Sequence, residues 1–282
     1  MVTAHLHDES TLEVSIRGDG PAVVVPVSTA LIEGEAADRL RAWGTDPNLG
    51  HTLATGLADA GFRVITADYE GHLAEHPKVR TLTAAAVTAD LLAVADAAGA
   101  ARFAYYGYSW LALAGLQLAS RTDRLAALAM GGFPPLDGPY GPMLTVTHAS
   151  HREAVANVGR PPSTVEVQPG DWDSAETTQN PEQIEQYVTL YESLRGFDER
   201  AALDRLGGLP RLVFAGADDN IRYGPRWDNA YVAIADAVRD NRDELTKQGW
   251  TVELVAGTDH MSAMQADRVL PLLIPWLRRH WC

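Results

Sequence analysis

Gly107-Tyr108-Ser109-Trp110-Leu111 is the stretch on which the reading of this chain turns. Before it stands a short apolar segment, Arg102-Phe-Ala-Tyr-Tyr106. After it comes Leu111-Ala-Leu-Ala-Gly-Leu-Gln-Leu-Ala119, which has the make-up of a helix. A strand, a tight corner bearing a serine and then a helix lift a hydroxyl clear of a sheet edge. The same corner aims the first N–H groups of the helix at whatever that hydroxyl attacks. A serine at a helix start is also common for purely structural reasons, so the corner carries chemistry only if an acid and a base reach it.

Around the corner the chain keeps a regular beat. Residues 2–7 and 11–17 read as two short strands, and 22–25, Ala-Val-Val-Val, as a fully apolar central one. Residues 26–48 are irregular except for a short helical piece near 35–43. A helix over 49–60, a strand over 62–67 and a helix over 81–98 precede the serine corner, with Gly61 and Gly99 placed to end the two helices. A strand over 125–130 follows it. Alternating helices and strands with short links predict an α/β fold: a mostly parallel central sheet with helices on both faces.

The beat stops at Gly131 and resumes with strands over 211–215 and 251–255, a helix over 227–247 between them and another from residue 261. The intervening stretch is turn-rich at first and then holds a helix over 181–194. Residues 1–132 and 209–282 are therefore the expected core. Residues 133–208 are the expected insertion, a mainly helical lid on the side where the serine emerges.

Two further residues complete a reactive set. Of nine histidines, His260 in Gly257-Thr-Asp-His260 follows a strand end on the same sheet edge as Ser109, where it could take the serine's proton. An acid must hold that histidine in the right tautomer. Asp218 and Asp219, in Gly216-Ala-Asp-Asp219, both lie at the tip of the preceding strand, and local physics does not separate them. Asp259 suits a helix cap better. The backbone N–H of Trp110, next after the nucleophile, is one donor for the oxyanion formed on attack.

Serine, acid and histidine in this order, each after a strand, resemble the α/β-hydrolase family along nearly the whole chain. The resemblance selects Asp219, because the family's acid sits in G-x-x-D. It also implies a second oxyanion donor just after the strand ending at Val25, where Ser28 is the choice and Val27 the fallback. Pro26 has no N–H to offer. Asp68-Tyr-Glu-Gly-His72 resembles the family's D-x-x-G-H segment, with His72 read as structural. Two departures stand out: the corner's usual final glycine is Leu111, and the usual His-Gly pair is Pro26-Val27.

The implied activity is that of a serine hydrolase on a carboxylic ester or lactone of a small, mostly apolar, uncharged molecule. Tyr108, Phe133, Tyr140 and Trp172 are the expected pocket walls. The alternatives are a catalytically weak small-molecule binding or sensing protein, or a lyase or C–C hydrolase on the same fold. No cofactor is implied. His5 with His7, His72 with His76 and His148 with His151 lack a convergent third ligand, so no metal is expected.

Composition agrees with an enzyme of small molecules. The 282 residues are 46% hydrophobic and carry a formal charge of −14, with no basic run, which disfavours nucleic acid as a partner. The acidity itself reads as a solubility feature. The one cysteine, Cys282, excludes an internal disulfide. No apolar stretch approaches the ~20 residues a bilayer requires, and residues 1–10 lack a signal-peptide pattern. The expectation is a soluble cytoplasmic protein with no membrane partner.

Overall fold

The computed structural model describes residues 1–42, 44–160 and 179–282. The strands are β1 (Val2–His5), β2 (Thr11–Arg17), β3 (Ala22–Val25), β4 (Arg63–Ala67), β5 (Phe103–Tyr108), β6 (Leu125–Gly131), β7 (Arg211–Gly216), β8 (Asn220–Arg222), β9 (Tyr231–Ala233) and β10 (Trp250–Val255). Eight of them form one sheet in the order β1-β2-β4-β3-β5-β6-β7-β10, while β8 and β9 make a separate hairpin. Within the large sheet β2 is antiparallel to both neighbours, and the pairings from β4 through β10 are parallel. The α/β architecture predicted from the alternating pattern is the one observed.

The strands are apolar on both faces because both are covered. Val24, Tyr105, Leu128 and Val213 point into one half of the core, with the helices Ala84–Ala97 and Trp110–Ala119. Their neighbours Val23, Tyr106, Ala129 and Phe214 point into the other, with Leu49–Asp59 and Ala266–His280. A one-residue slip in any strand would exchange these two sets, so the alternation fixes the register. Parallel register in turn brings the C-terminal ends of β4, β5, β7 and β10 to one edge of the sheet, and the candidate site stands there.

Expected elements differ in two places, and the first is the stretch after Phe133, expected to be turn-rich, which holds the 18-residue helix Tyr140–Asn157. The second is the helix expected over 227–247, which is broken into a short 3-10 turn (Pro225–Trp227), strand β9 and the helices Ile234–Asp240 and Arg242–Lys247. Asp228 and Asn229 both adopt left-handed backbone, φ 54°, which short polar side chains tolerate and a continuing helix does not. Between β6 and β7 lie the helices Tyr140–Asn157, Pro181–Glu192 and Glu199–Asp204, the first two packed on each other.

Candidate active site

Ser109 joins β5 to the helix Trp110–Ala119 with φ 56° and ψ −129°, a backbone conformation costly for any residue with a side chain. The corner is held on both sides. Ser109 N–H donates to the carbonyl of Gly131 on β6 (2.8 Å), and the Ser109 carbonyl accepts from Ala112 and Leu113. As the first residue of its helix, Trp110 has an N–H with no intrahelical acceptor, and among the described residues it has no other acceptor.

The Leu111 departure has a concrete resolution. Its side chain is buried in the core, and its carbonyl accepts a hydrogen bond from the Tyr105 hydroxyl at 2.8 Å. Close approach of helix to strand comes instead from Gly107 and Gly115. A Cβ on Gly107 would collide with the Leu111 carbonyl, and one on Gly115 would lie 2.6 Å from the Tyr105 ring. Gly115, one turn further along than the family's glycine, was readable only in three dimensions.

His260 Nε2 lies 3.1 Å from Ser109 Oγ. Its Nδ1 lies 3.0 and 2.9 Å from the two carboxylate oxygens of Asp219. A carboxylate only accepts, so the imidazole proton sits on Nδ1 and Nε2 is the acceptor facing the serine hydroxyl. The Asp219 side chain is fully buried, whereas Asp218 is exposed and its N–H bonds to the Thr258 carbonyl (3.0 Å). Asp259 caps the short helix His260–Ala263, accepting from Ser262 N–H at 2.9 Å while the Ser262 hydroxyl accepts from the Asp259 N–H. Burial opposes the charge of Asp259, but the hydrogen bonds its carboxylate accepts, the one from the Ser262 hydroxyl foremost, prevail and hold it below its ordinary value.

At the other side of the corner, Val27 N–H donates to the carbonyl of Val25 at 2.8 Å and is thereby engaged, whereas Ser28 N–H has no acceptor among the described residues. His72 is buried, with Nε2 3.0 Å from Ser10 Oγ. Among the described residues no group of three or more His, Cys, Asp or Glu side chains converges as a metal would require. No described helix is long and apolar enough to cross a membrane.

A cavity of about 150 Å³ opens beside Ser109 and His260, walled by Phe133, Met143, Tyr191, Ile221, Val232 and Ile234. Phe133, Met143 and Tyr191 come from the segment between β6 and β7. Tyr108 and Tyr140, expected as pocket walls, are not among the residues that line this cavity. Tyr108 packs against the His260 ring at 5.2 Å, and burial raises its hydroxyl pKa well above the ordinary value. Tyr140 meets the Phe133 ring at 5.5 Å and the Phe197 ring at 5.9 Å. Trp172 lies outside the described residues. A larger recess, about 790 Å³, sits beside the start of β6, at the opposite end of the strands from Ser109. The smaller cavity is the one lined by Ser109 and His260.

No family model matches this sequence, and no curated protein matches it. Among solved structures, the chain is similar over 98% of its length to an enol-lactonase from Burkholderia xenovorans LB400, of which 99% is covered, at 18% identity and a TM-score of 0.59. It is similar over 100% to a thermophilic esterase from Thermogutta terrifontis, 98% of which is covered, at 20% identity and a TM-score of 0.61. A carboxylesterase structure from the thaumarchaeon Nitrososphaera gargenis aligns over 99% of this chain and 98% of its own, at 14% identity and a TM-score of 0.65. The chain has the α/β-hydrolase fold. Identities this low carry the fold and no more.

Proposed function

We propose that the protein is a serine hydrolase that cleaves a carboxylic ester or lactone of a small, mostly apolar molecule. The observation that carries this reading is the set of contacts Ser109 Oγ to His260 Nε2 and His260 Nδ1 to both oxygens of Asp219, mounted on a strained corner. In this reading His260 removes the hydroxyl proton as Ser109 attacks the carbonyl carbon, and then delivers it to the leaving oxygen. Asp219 stabilises the imidazolium between those events. Trp110 and Ser28 N–H receive the developing oxyanion, and water cleaves the acyl-enzyme by the same route. The cavity beside Ser109 suits a short acyl group, since an apolar void of about 150 Å³ takes a molecule the size of benzene. In this reading the segment of residues 133–208, of which 161–178 lie outside the described residues, serves as a lid that sets what is accepted.

A fluorophosphonate probe should label Ser109, and short p-nitrophenyl esters should be turned over. Ser109→Ala should lose the labelling and about four to six orders of magnitude in kcat. Label on another serine, or none on folded protein, would remove the reading.

A further inference from the structure

Tyr191, near the end of the helix Pro181–Glu192, lines the cavity beside Ser109 and His260 and is only 3% exposed. Its hydroxyl makes no hydrogen bond to any described residue. Unlike the Tyr106 hydroxyl, which is both unpartnered and sealed from solvent, it keeps accessible surface. For a side chain this buried, that surface opens on the cavity the residue lines.

The hydroxyl is also held in place. The helix that carries it is pinned to the segment between β4 and β5 by its polar side chains. Lys78 N–H donates to Gln186 Oε1, and Gln186 Nε2 donates to the Leu73 carbonyl, each at 3.0 Å. The Thr189 hydroxyl donates to the Val79 carbonyl. Just beyond the helix, Ser193 Oγ accepts from Ala84 N–H at 3.1 Å. A donor fixed in this way needs little further ordering when a ligand arrives.

The other walls limit what that donor can meet. The described residues lining the cavity include no Lys, Arg, Asp or Glu, so a charged group would lose its water and gain no counter-charge. Phe133, Met143, Ile221, Val232 and Ile234 offer apolar contact only. If ring packing were the only task of residue 191, phenylalanine would do it without leaving a buried hydroxyl unpaired.

We propose that the Tyr191 hydroxyl anchors an uncharged acceptor oxygen on the acyl group, so that the ester or lactone cleaved at Ser109 carries a keto or ether oxygen besides its scissile carbonyl. The phenol proton supplies the bond, and the surrounding side chains take the hydrocarbon part of the same group. This inference rests on the reading of Ser109 as an ester-cleaving nucleophile, and it makes Tyr191 a specificity-determining residue for that reaction.

The test sets a ketone against its hydrocarbon counterpart. Cyclohexanone and methylenecyclohexane, which differ by an oxygen in place of a methylene, are titrated into the full-length Ser109→Ala protein with and without Tyr191→Phe. The NMR signal of the Met143 methyl group, on another wall of the cavity, reports occupancy. Cyclohexanone should bind when Tyr191 is present. Tyr191→Phe should weaken the ketone and strengthen the hydrocarbon, moving the ratio of their affinities about tenfold, with thermal melting as the check on folding. Failure of cyclohexanone to shift Met143, a ratio that moves by less than about threefold, or one that moves the other way overturns the anchor. In parallel, wild-type protein is assayed on a short p-nitrophenyl ester and labelled with a fluorophosphonate. Turnover with an unmoved ratio leaves the hydrolase and removes the anchor, whereas a moved ratio without turnover or Ser109 labelling leaves the anchor and removes the hydrolase.

Discussion

The hydroxyl of Tyr108 donates a hydrogen bond to the main-chain carbonyl of His260, 2.8 Å away, so the residue just before Ser109 holds the loop that bears His260. The ring has room to do this because Gly131 and Gly132 carry no side chain. A Cβ on either would lie 2.5 or 2.7 Å from the Tyr108 ring. Tyr108→Phe keeps the ring and deletes the bond. Steady-state kinetics on a short ester should show kcat lower by about fivefold, the worth of one ordinary hydrogen bond, with KM little changed. An unchanged kcat would mean that the loop is held by its own cap, Asp259 with Ser262.

Asp219 and Asp218 were inseparable by sequence spacing, and their surroundings now differ. Asp219→Asn should lower kcat by roughly three to four orders of magnitude, because an amide can present its N–H to the imidazole and favour the wrong tautomer. Asp218→Asn, at an exposed position, should stay within about twofold. The opposite ranking in the same assay would assign the acid to Asp218.

Restoring the family's glycine at the corner should harm the protein. Leu111 is 3% exposed, so Leu111→Gly removes a core side chain at a cost of about 2–5 kcal/mol and adds about 1 kcal/mol of helix penalty. Gly115→Val should also destabilise, by driving a branched side chain into the Tyr105 ring. Thermal unfolding measures both. A stabilised Leu111→Gly would show that the leucine is a misfit which the corner merely endures.

Phe133 walls the cavity beside Ser109. Phe133→Ala should move the preference among p-nitrophenyl esters toward longer acyl chains, each buried methylene being worth about 0.8 kcal/mol. An identical chain-length profile in wild type and variant would take the acyl group out of this cavity.

What could be read in advance follows from which information is local. Strand and helix alternation, the serine corner and the order of acid and base are carried by short segments, and the parallel sheet follows from them. The choice of Asp219 needed a resemblance, because which of two adjacent carboxylates turns inward depends on the loop packed above it. The roles of Tyr105 and Gly115 were invisible. Each depends on a partner elsewhere in the fold: the Leu111 carbonyl and the Tyr105 ring. Tyr108 was legible as an aromatic beside the nucleophile, but its partner, the His260 carbonyl, is 152 residues away. The broken helix after β8 failed for the opposite reason. It was read as one continuous helix, but the left-handed Asp228-Asn229 pair and the β8–β9 pairing break its first part.

A buried ionic cluster gives the last prediction. Lys78 is almost wholly buried, with Nζ 2.8 Å from Asp8 and 3.5 Å from Asp90. Asp90 also accepts from the Tyr69 hydroxyl at 2.7 Å and the His7 backbone N–H at 2.7 Å. Burial alone would raise the Asp8 carboxyl, but hydrogen bonds from Lys78 and Ser10 and the Lys78 charge outweigh it and hold the carboxyl far below its usual range. A carboxyl depressed in the folded chain contributes stability that is complete above the unfolded value of about 3.9 and is lost as pH falls through the folded value. Lys78→Met removes the cation but keeps the apolar stem, leaving the partly exposed Asp8 without its cation and the buried Asp90 with its Tyr69 and His7 donors. At neutral pH it should cost about 2–4 kcal/mol, the lower part of the range for breaking a buried pair, because Asp90 keeps its other donors. Thermal melts of both proteins between about pH 7 and pH 3 should show the gap narrowing as Asp8 protonates in the variant, whose carboxyl has returned toward 3.9. A gap constant over that range would mean that the loss lies in packing around the lysine stem and not in its charge.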